Sequence, residues 1–156
     1  MKKKIAIISM AIFLIDQIVK VIVSVTMSPN SSITIIPGFF NITYLTNTGG
    51  AWSILNNHLL ILIIVSIGAL IGLIIYSKSF IKSKKNAIIF GLVFGGILGN
   101  LFDRVIHAYV IDYLDFTIFN YNYPVFNLAD ISLVIGVFLL IIAIFKGEDK
   151  NEVSSK

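Results

Sequence analysis

The sequence predicts an all-α membrane protein: four transmembrane helices, with a small extracytoplasmic β-sheet between helices 1 and 2. Three observations carry that expectation. Of 156 residues, 57% are hydrophobic and only 13% charged, against about 45–50% and about 25% in an average soluble domain. Mean hydropathy is +0.95, the opposite of a disordered or linker chain. The basic residues also collect in alternate connections between apolar runs, as they do in multi-pass membrane proteins. At this length the chain, 1–156, reads as a single integral membrane domain.

Composition also excludes. With no Cys there is no disulfide framework, thiol nucleophile or Cys-based metal site. The formal net charge of +4 sits in short lysine clusters between apolar runs. A nucleic-acid binder needs a continuous basic groove, so no nucleic-acid partner is expected.

A helical crossing needs about 20 mostly apolar residues. The first span, about 5–27, follows a basic MKKK start and so imitates a secretory signal peptide. No small-residue cleavage site follows and the apolar run resumes after Lys20, so this helix is read as retained. In the outer loop 28–58, two β-rich runs, SITII and FFNITYLT, flank a Pro37-Gly38 turn. They make the expected surface sheet, the alternative being an irregular loop. The second span, about 59–77, contains no charge, and the third, about 86–106, is rich in glycine. Outer loop 107–127, with Tyr109, Tyr113, Tyr121 and Tyr123, resembles an interfacial aromatic belt. The fourth span, about 128–145, has Asp130 near its start, and the tail 146–156 is solvated. Lys2, Lys3 and Lys4 precede span one, Lys78, Lys82, Lys84 and Lys85 join spans two and three, and Lys146 and Lys150 follow span four. The two outer loops hold no Lys or Arg. Both termini are therefore expected in the cytoplasm.

Ionisable groups inside a membrane are costly, so each is a functional candidate. Asp16 and Lys20 have the spacing of a helical ion pair, and a self-neutralising packing role competes with direct chemistry. In GLVFGGILGNLFDR, Gly91, Gly95 and Gly99 make two G-x-x-x-G steps, a close-packing face. An adjacent stripe carries Gly96, Asn100 and Arg104. Arg104 calls for acidic partners, and Asp112 and Asp130 are the nearby candidates. Seventeen residues separate them, too few for a membrane crossing and return, so both lie on the outer side. Two carboxyls sharing one proton provide a base and an acid at once, as in aspartic proteases. The competing reading makes Asp130 a helix cap and Asp112 or Asp115 a solvated loop charge. His58 and His107 are the only histidines and no H-E-x-x-H occurs, so no metal site is expected. No G-x-S-x-G elbow supports a serine hydrolase.

Together these residues resemble the bacterial lipoprotein signal peptidase family, also called signal peptidase II. The likeness covers nearly the whole chain up to Phe145 and rests on five blocks in order. They are DQIVK at Asp16–Lys20, NTGGAW at Asn47–Trp52, GGILGNLFDR at Gly95–Arg104, VID at Val110–Asp112 and FNLAD at Phe126–Asp130. The resemblance implies an intramembrane aspartic endopeptidase of the bacterial cell membrane, its active site toward the outer face. Such an enzyme removes the signal peptide from diacylglyceryl-modified prolipoproteins, cutting before the lipidated cysteine. It also implies Asp112 and Asp130 as the catalytic pair. Asn47, Gly49, Gly96, Asn100, Arg104, Asn127 and Ala129 are implied to bind substrate or support the site, and Asp16 and Lys20 to form a structural polar pair. No cofactor is implied; the implied partners are prolipoprotein, membrane phospholipid and globomycin-type cyclic peptides. One departure is Gly50, where the family usually carries Ala. The other function class kept open is a small proton-coupled transporter or assembly factor, disfavoured because no internal repeat is visible and the charges cluster at one end of the membrane.

Overall fold

The computed structural model describes residues 1–50, 55–56 and 58–149. Ala51 and Trp52 of the NTGGAW block and residues 150–156 of the tail lie outside the described residues. Four helices are long and apolar enough to cross a membrane. These are α1 (Lys2–Thr26), α2 (Leu59–Tyr76), which continues in a short 3-10 turn Ser77–Ser79, α3 (Lys84–His107) and α4 (Leu128–Phe145). Their bounds fall within a few residues of the expected spans.

The central helix is α3, packed between α1 and α4, and its glycines set the spacing. A Cβ on Gly91 would sit 2.6 Å from the Ile8 side chain, and one on Gly95 2.8 Å from that of Ile12. On the other flank, a Cβ on Gly96 would lie 2.5 Å from the Ala129 carbonyl oxygen. Val93 in turn fills the space left by Gly136 of α4. Small residues let helix backbones approach where apolar burial gives no net drive in lipid. Helix α2 has no buried residue and flanks the other three.

Each helix end has a cause. Ser83 caps α3 by accepting the Asn86 N–H at 3.0 Å, and Ala108, in the left-handed region at φ 65°, stops it. At α4 a capping box operates: Asn127 Oδ1 accepts the Asp130 N–H at 2.9 Å and Asp130 Oδ2 accepts the Asn127 N–H at 3.1 Å.

At one end of the bundle lies a four-stranded antiparallel sheet, in the order β1 (Ser32–Ile36), β2 (Phe40–Asn47), β3 (Val110–Ile118), β4 (Tyr121–Asn122). The β1–β2 hairpin turns at Pro37–Phe39, as the sequence suggested, with Gly38 at φ 72°. The sheet is larger than expected, because the second outer loop joins it. VIDYLDFTI pairs with β2, setting Asp112 opposite Leu45 and Val110 opposite Asn47, so part of the loop read as an aromatic belt is a strand, with Tyr113 buried and Tyr121 and Tyr123 exposed. Alternation along β3 sends Ile111 and Tyr113 into a core with Val23 and Tyr44 and Asp112 to the other face.

Candidate active site

The polar residues of the spans converge where the sheet meets the helices. Asp16 and Lys20 of α1, Asn100 and Asp103 of α3, Asp112 of β3 and Asn127 before α4 are all buried. Lys20 Nζ lies 2.6 Å from Asp16 Oδ2 and 2.9 Å from Asp103 Oδ2. The expected pair is thus one arm of a triad. Asp103 Oδ2 also accepts the Ile111 N–H of β3 at 3.2 Å, and Asp103 Oδ1 the Gln17 side chain at 2.9 Å.

The start of α4 is held from three directions. Its first N–H groups have no partner within the helix, and each finds a side-chain oxygen elsewhere. Leu128 N–H donates to the Tyr113 hydroxyl at 3.1 Å, Ala129 N–H to Asp16 Oδ1 at 3.1 Å and Asp130 N–H to Asn127 Oδ1 at 2.9 Å. Asp130 therefore stands on a helix end fixed by α1, β3 and its own cap. Ala129 is wholly buried, so it supports the site from behind, and its Cβ packs where Gly99 leaves room.

Asp112 and Asp130 are tied through two carboxamides. Asn127 Nδ2 donates to Asp112 Oδ1 at 2.7 Å, while the Asn127 backbone N–H reaches Asp130 Oδ2. Asn100 Nδ2 donates to Asp130 Oδ1 at 2.7 Å, and Asn47 Nδ2 to Asp112 Oδ2 at 3.0 Å. At 2% exposure Asp112 is no solvated loop charge. Burial first, and then the charge of Asp130, push its carboxyl up to about 7. Asp130 is not the cap itself but the reciprocating third residue of the capping box.

Arg104 departs from expectation. It sits within electrostatic reach of Asp130, Asp112 and Asp103, yet its Nη2 donates to the Gly49 carbonyl at 3.0 Å rather than to a carboxylate. Its Nε is buried with no hydrogen-bond partner among the described residues. The Gly49 N–H in turn donates to Asn47 Oδ1 at 2.9 Å, so Asn47, Gly49 and Arg104 form one connected edge. Asp115 lies farther along β3, accepting from Thr43 Oγ1 at 2.7 Å. Among the described residues no group of three His, Asp or Glu could hold a metal ion.

From Asn100, Arg104 and Asp130 a groove of about 620 Å³ runs between α2, α3 and α4 toward Tyr76. Val65, Ala69, Gly96, Ile97, Leu133 and Val137 make its walls apolar. Along α3 it covers Val93 to Arg104, about 16 Å at 1.5 Å per residue, or roughly half a hydrocarbon core. Sequence reasoning had not assigned Asp103, Gln17 or Tyr113 to the site. The signal for Asp103 was only its type and place, an intramembrane carboxylate three residues after Asn100, with nothing local to link it to Lys20.

The family model for signal peptidase (SPase) II matches residues 8–146. A lipoprotein signal peptidase of Staphylococcus haemolyticus is 40% identical over 150 residues, covering 94% of this chain and 93% of that one. One from Staphylococcus aureus is 41% identical over 143 residues, covering 89% and 86%. A bacterial membrane enzyme solved by the in meso method superposes with a TM-score of 0.83 at 39% identity, covering 97% of this chain and 94% of that chain. With that coverage, and four helices that cross a membrane beneath a small antiparallel sheet, the chain belongs to the signal peptidase II family, the multi-pass membrane proteases that process prolipoproteins.

Proposed function

We propose that this chain is an aspartic endopeptidase that cuts diacylglyceryl-modified prolipoproteins just before the lipidated cysteine, with Asp112 and Asp130 as its catalytic pair. The observation that carries the reading is that buried Asp112 and half-buried Asp130 share the carboxamide network of Asn100 and Asn127, with Asp130 lining the polar end of an apolar groove. The apolar part of a signal peptide or the acyl chains of the modified cysteine fit the groove walls. The scissile bond then falls beside the acids.

The chemistry needs one acid and one base. Asp112, pushed up to about 7, carries the proton near neutral pH. Asp130 shares the groove wall with Arg104 and lies within electrostatic reach of its guanidinium, which suits a carboxylate. Asp130 takes a proton from water as the water oxygen attacks the peptide carbonyl, and Asp112 donates its proton to the carbonyl oxygen. Collapse of the tetrahedral intermediate returns that proton to Asp112 and delivers the one on Asp130 to the departing amine. The Arg104 guanidinium, which lines the groove, supplies the donor for substrate backbone. Asn47, Asn100 and Asn127 hold the acids in place.

The same reading sets both termini in the cytoplasm and the sheet on the outer face, supported by the absence of Lys and Arg from 28–58 and 107–127. Phospholipid around the groove and globomycin-type cyclic peptides within it are the further partners proposed. The test is incubation of the purified protein with a lipidated prolipoprotein. A shift to the shorter form is expected, and the unlipidated precursor should stay intact. Uncut lipidated substrate would overturn the reading.

A further inference from the structure

Lys20 carries more than a pair with Asp16 requires. Its ammonium has three N–H donors and no acceptor, and three oxygens surround it. Asp16 Oδ2 lies at 2.6 Å, Asp103 Oδ2 at 2.9 Å and Asn100 Oδ1 at 3.2 Å. The first two compensate its charge. The third reaches a neutral carboxamide whose other end donates to Asp130 Oδ1 at 2.7 Å.

That third contact fixes which way Asn100 faces. Turned over, its NH2 would meet the ammonium, and its oxygen would meet the Asp130 carboxylate. Asn127 cannot hold the orientation alone. Its NH2 has two hydrogens but three oxygens within reach: Asn100 Oδ1 at 3.1 Å, Ile111 O at 3.3 Å and Asp112 Oδ1 at 2.7 Å. Without Lys20, holding Asn100 would draw Asn127 away from Asp112 or from the β3 backbone. One buried ammonium thus keeps both carboxamides on their own acids.

We propose that Lys20 is a positioning residue for the acid pair, acting through the side-chain oxygen of Asn100 to hold the amide N–H on Asp130. The proposal rests on the reading of Asp112 and Asp130 as the catalytic pair. It places the function of Lys20 in the donor it offers, separately from the charge it balances.

The experiment removes the charge equally and varies the donor. Lys20→Met with Asp103→Asn and Lys20→Gln with Asp103→Asn both leave one cation and one carboxylate fewer. Only the glutamine variant keeps an N–H for Asn100. Cleavage of lipidated prolipoprotein is measured per mole of monodisperse protein, with a melting temperature for each variant. The methionine variant is expected to lose about 10- to 100-fold in kcat, by analogy with the loss when a residue orienting a metal ligand is removed, with KM nearly unchanged. The glutamine variant should recover most of that loss. Equal kcat in the two variants at equal melting temperature would overturn the proposal.

Asn100→Ser leaves the Lys20 ion pairs intact and gives a second reading. It should lower kcat by itself and abolish the difference between the methionine and glutamine variants, since coupled positions are non-additive. Wild-type kcat in Asn100→Ser would overturn the proposal even if both paired variants failed to fold. Failure of the peptidase mechanism is separable, because Asp130→Asn would then still cut substrate.

Discussion

Two carboxylate pairs share one buried knot and have opposite surroundings. Asp16 and Asp103 hold Lys20 between them at 2.6 and 2.9 Å, and each also accepts a backbone N–H, from Ala129 and Ile111 respectively. Asp112 and Asp130 have no ion-pair partner among the described residues. Their donors are neutral carboxamides and a backbone N–H. A buried charge needs compensation. Where a cation touches both acids, its charge compensates theirs and each carboxyl becomes an anchor between elements. Where the cation stands off, a proton takes its place, and a proton that can leave is what acid–base chemistry uses. The groove opens beside Asp130 of the second pair, whereas its lining includes neither acid of the first.

The largest effect expected from that contrast is on turnover. On the proposed mechanism Asp112→Asn and Asp130→Asn each remove a group that gains or loses a proton, so each should lower cleavage by at least about 10²–10⁴-fold. Neither removes a partner from an ion pair, so folded yield and melting temperature should stay near wild type. Lysis of lipidated substrate by either variant at more than a small fraction of the wild-type rate would erase the distinction between the pairs.

The anchoring pair should respond the other way. Lys20→Met leaves two buried carboxylates facing each other, a change that typically costs about 3–5 kcal/mol. Pairing it with Asp16→Asn should restore much of the folded yield, since the asparagine oxygen can still accept the Ala129 N–H. Thermal melts in one detergent decide this. A double variant no more stable than Lys20→Met would show that Asp16 contributes nothing through its charge.

A smaller, graded effect follows from Asp112. Its carboxyl is pushed up to about 7 by burial and by Asp130, against a reference value of 3.8 in the unfolded chain. The folded protein therefore holds a proton that the unfolded chain has released between those two values. Its contribution to stability falls as pH rises through that window. Activity that needs protonated Asp112 should decline above about pH 7, on an alkaline limb belonging to the coupled pair. The loss of stability between about pH 4 and pH 7 should vanish in Asp112→Asn, read by melts from pH 4 to pH 8.

What was legible in the sequence follows the range of the interactions. The expected third span at 86–106 became α3 at 84–107, because apolar length is a local property. The Pro37-Gly38 turn was local too. Strand β3 was not read, because its partner β2 lies far away in sequence and its tyrosines fit an interfacial belt equally well. Asp112 and Asp130 were visible from their spacing and from the family blocks. The destination of Arg104 was not: counting charges sent it to a carboxylate, while chain geometry sends it to the Gly49 carbonyl. Asp103 was hidden for a related reason. A sequence shows that Lys20 can pair with Asp16 one helical turn away, but not that a second helix brings another acid to the same ammonium.

The smallest effect separates placement from chemistry. Asp115 lies three residues beyond Asp112 on the same strand, and its carboxylate is partly buried. Proximity in sequence would make it a plausible member of the pair. Its contacts say otherwise: Oδ2 accepts from Thr43 Oγ1 at 2.7 Å and from Asn41 Nδ2 at 3.4 Å, both on β2. Those are cross-strand bonds, and Asp115 does not line the groove. Asp115→Asn keeps an oxygen for Thr43 and loses only a charge-assisted component, so stability should fall by no more than about 1 kcal/mol. Turnover should stay within about twofold of wild type, with the alkaline limb unmoved. A loss of turnover comparable to that of Asp112→Asn, in a protein of unchanged melting temperature, would move the reactive site up the strand and break the contrast between the two pairs.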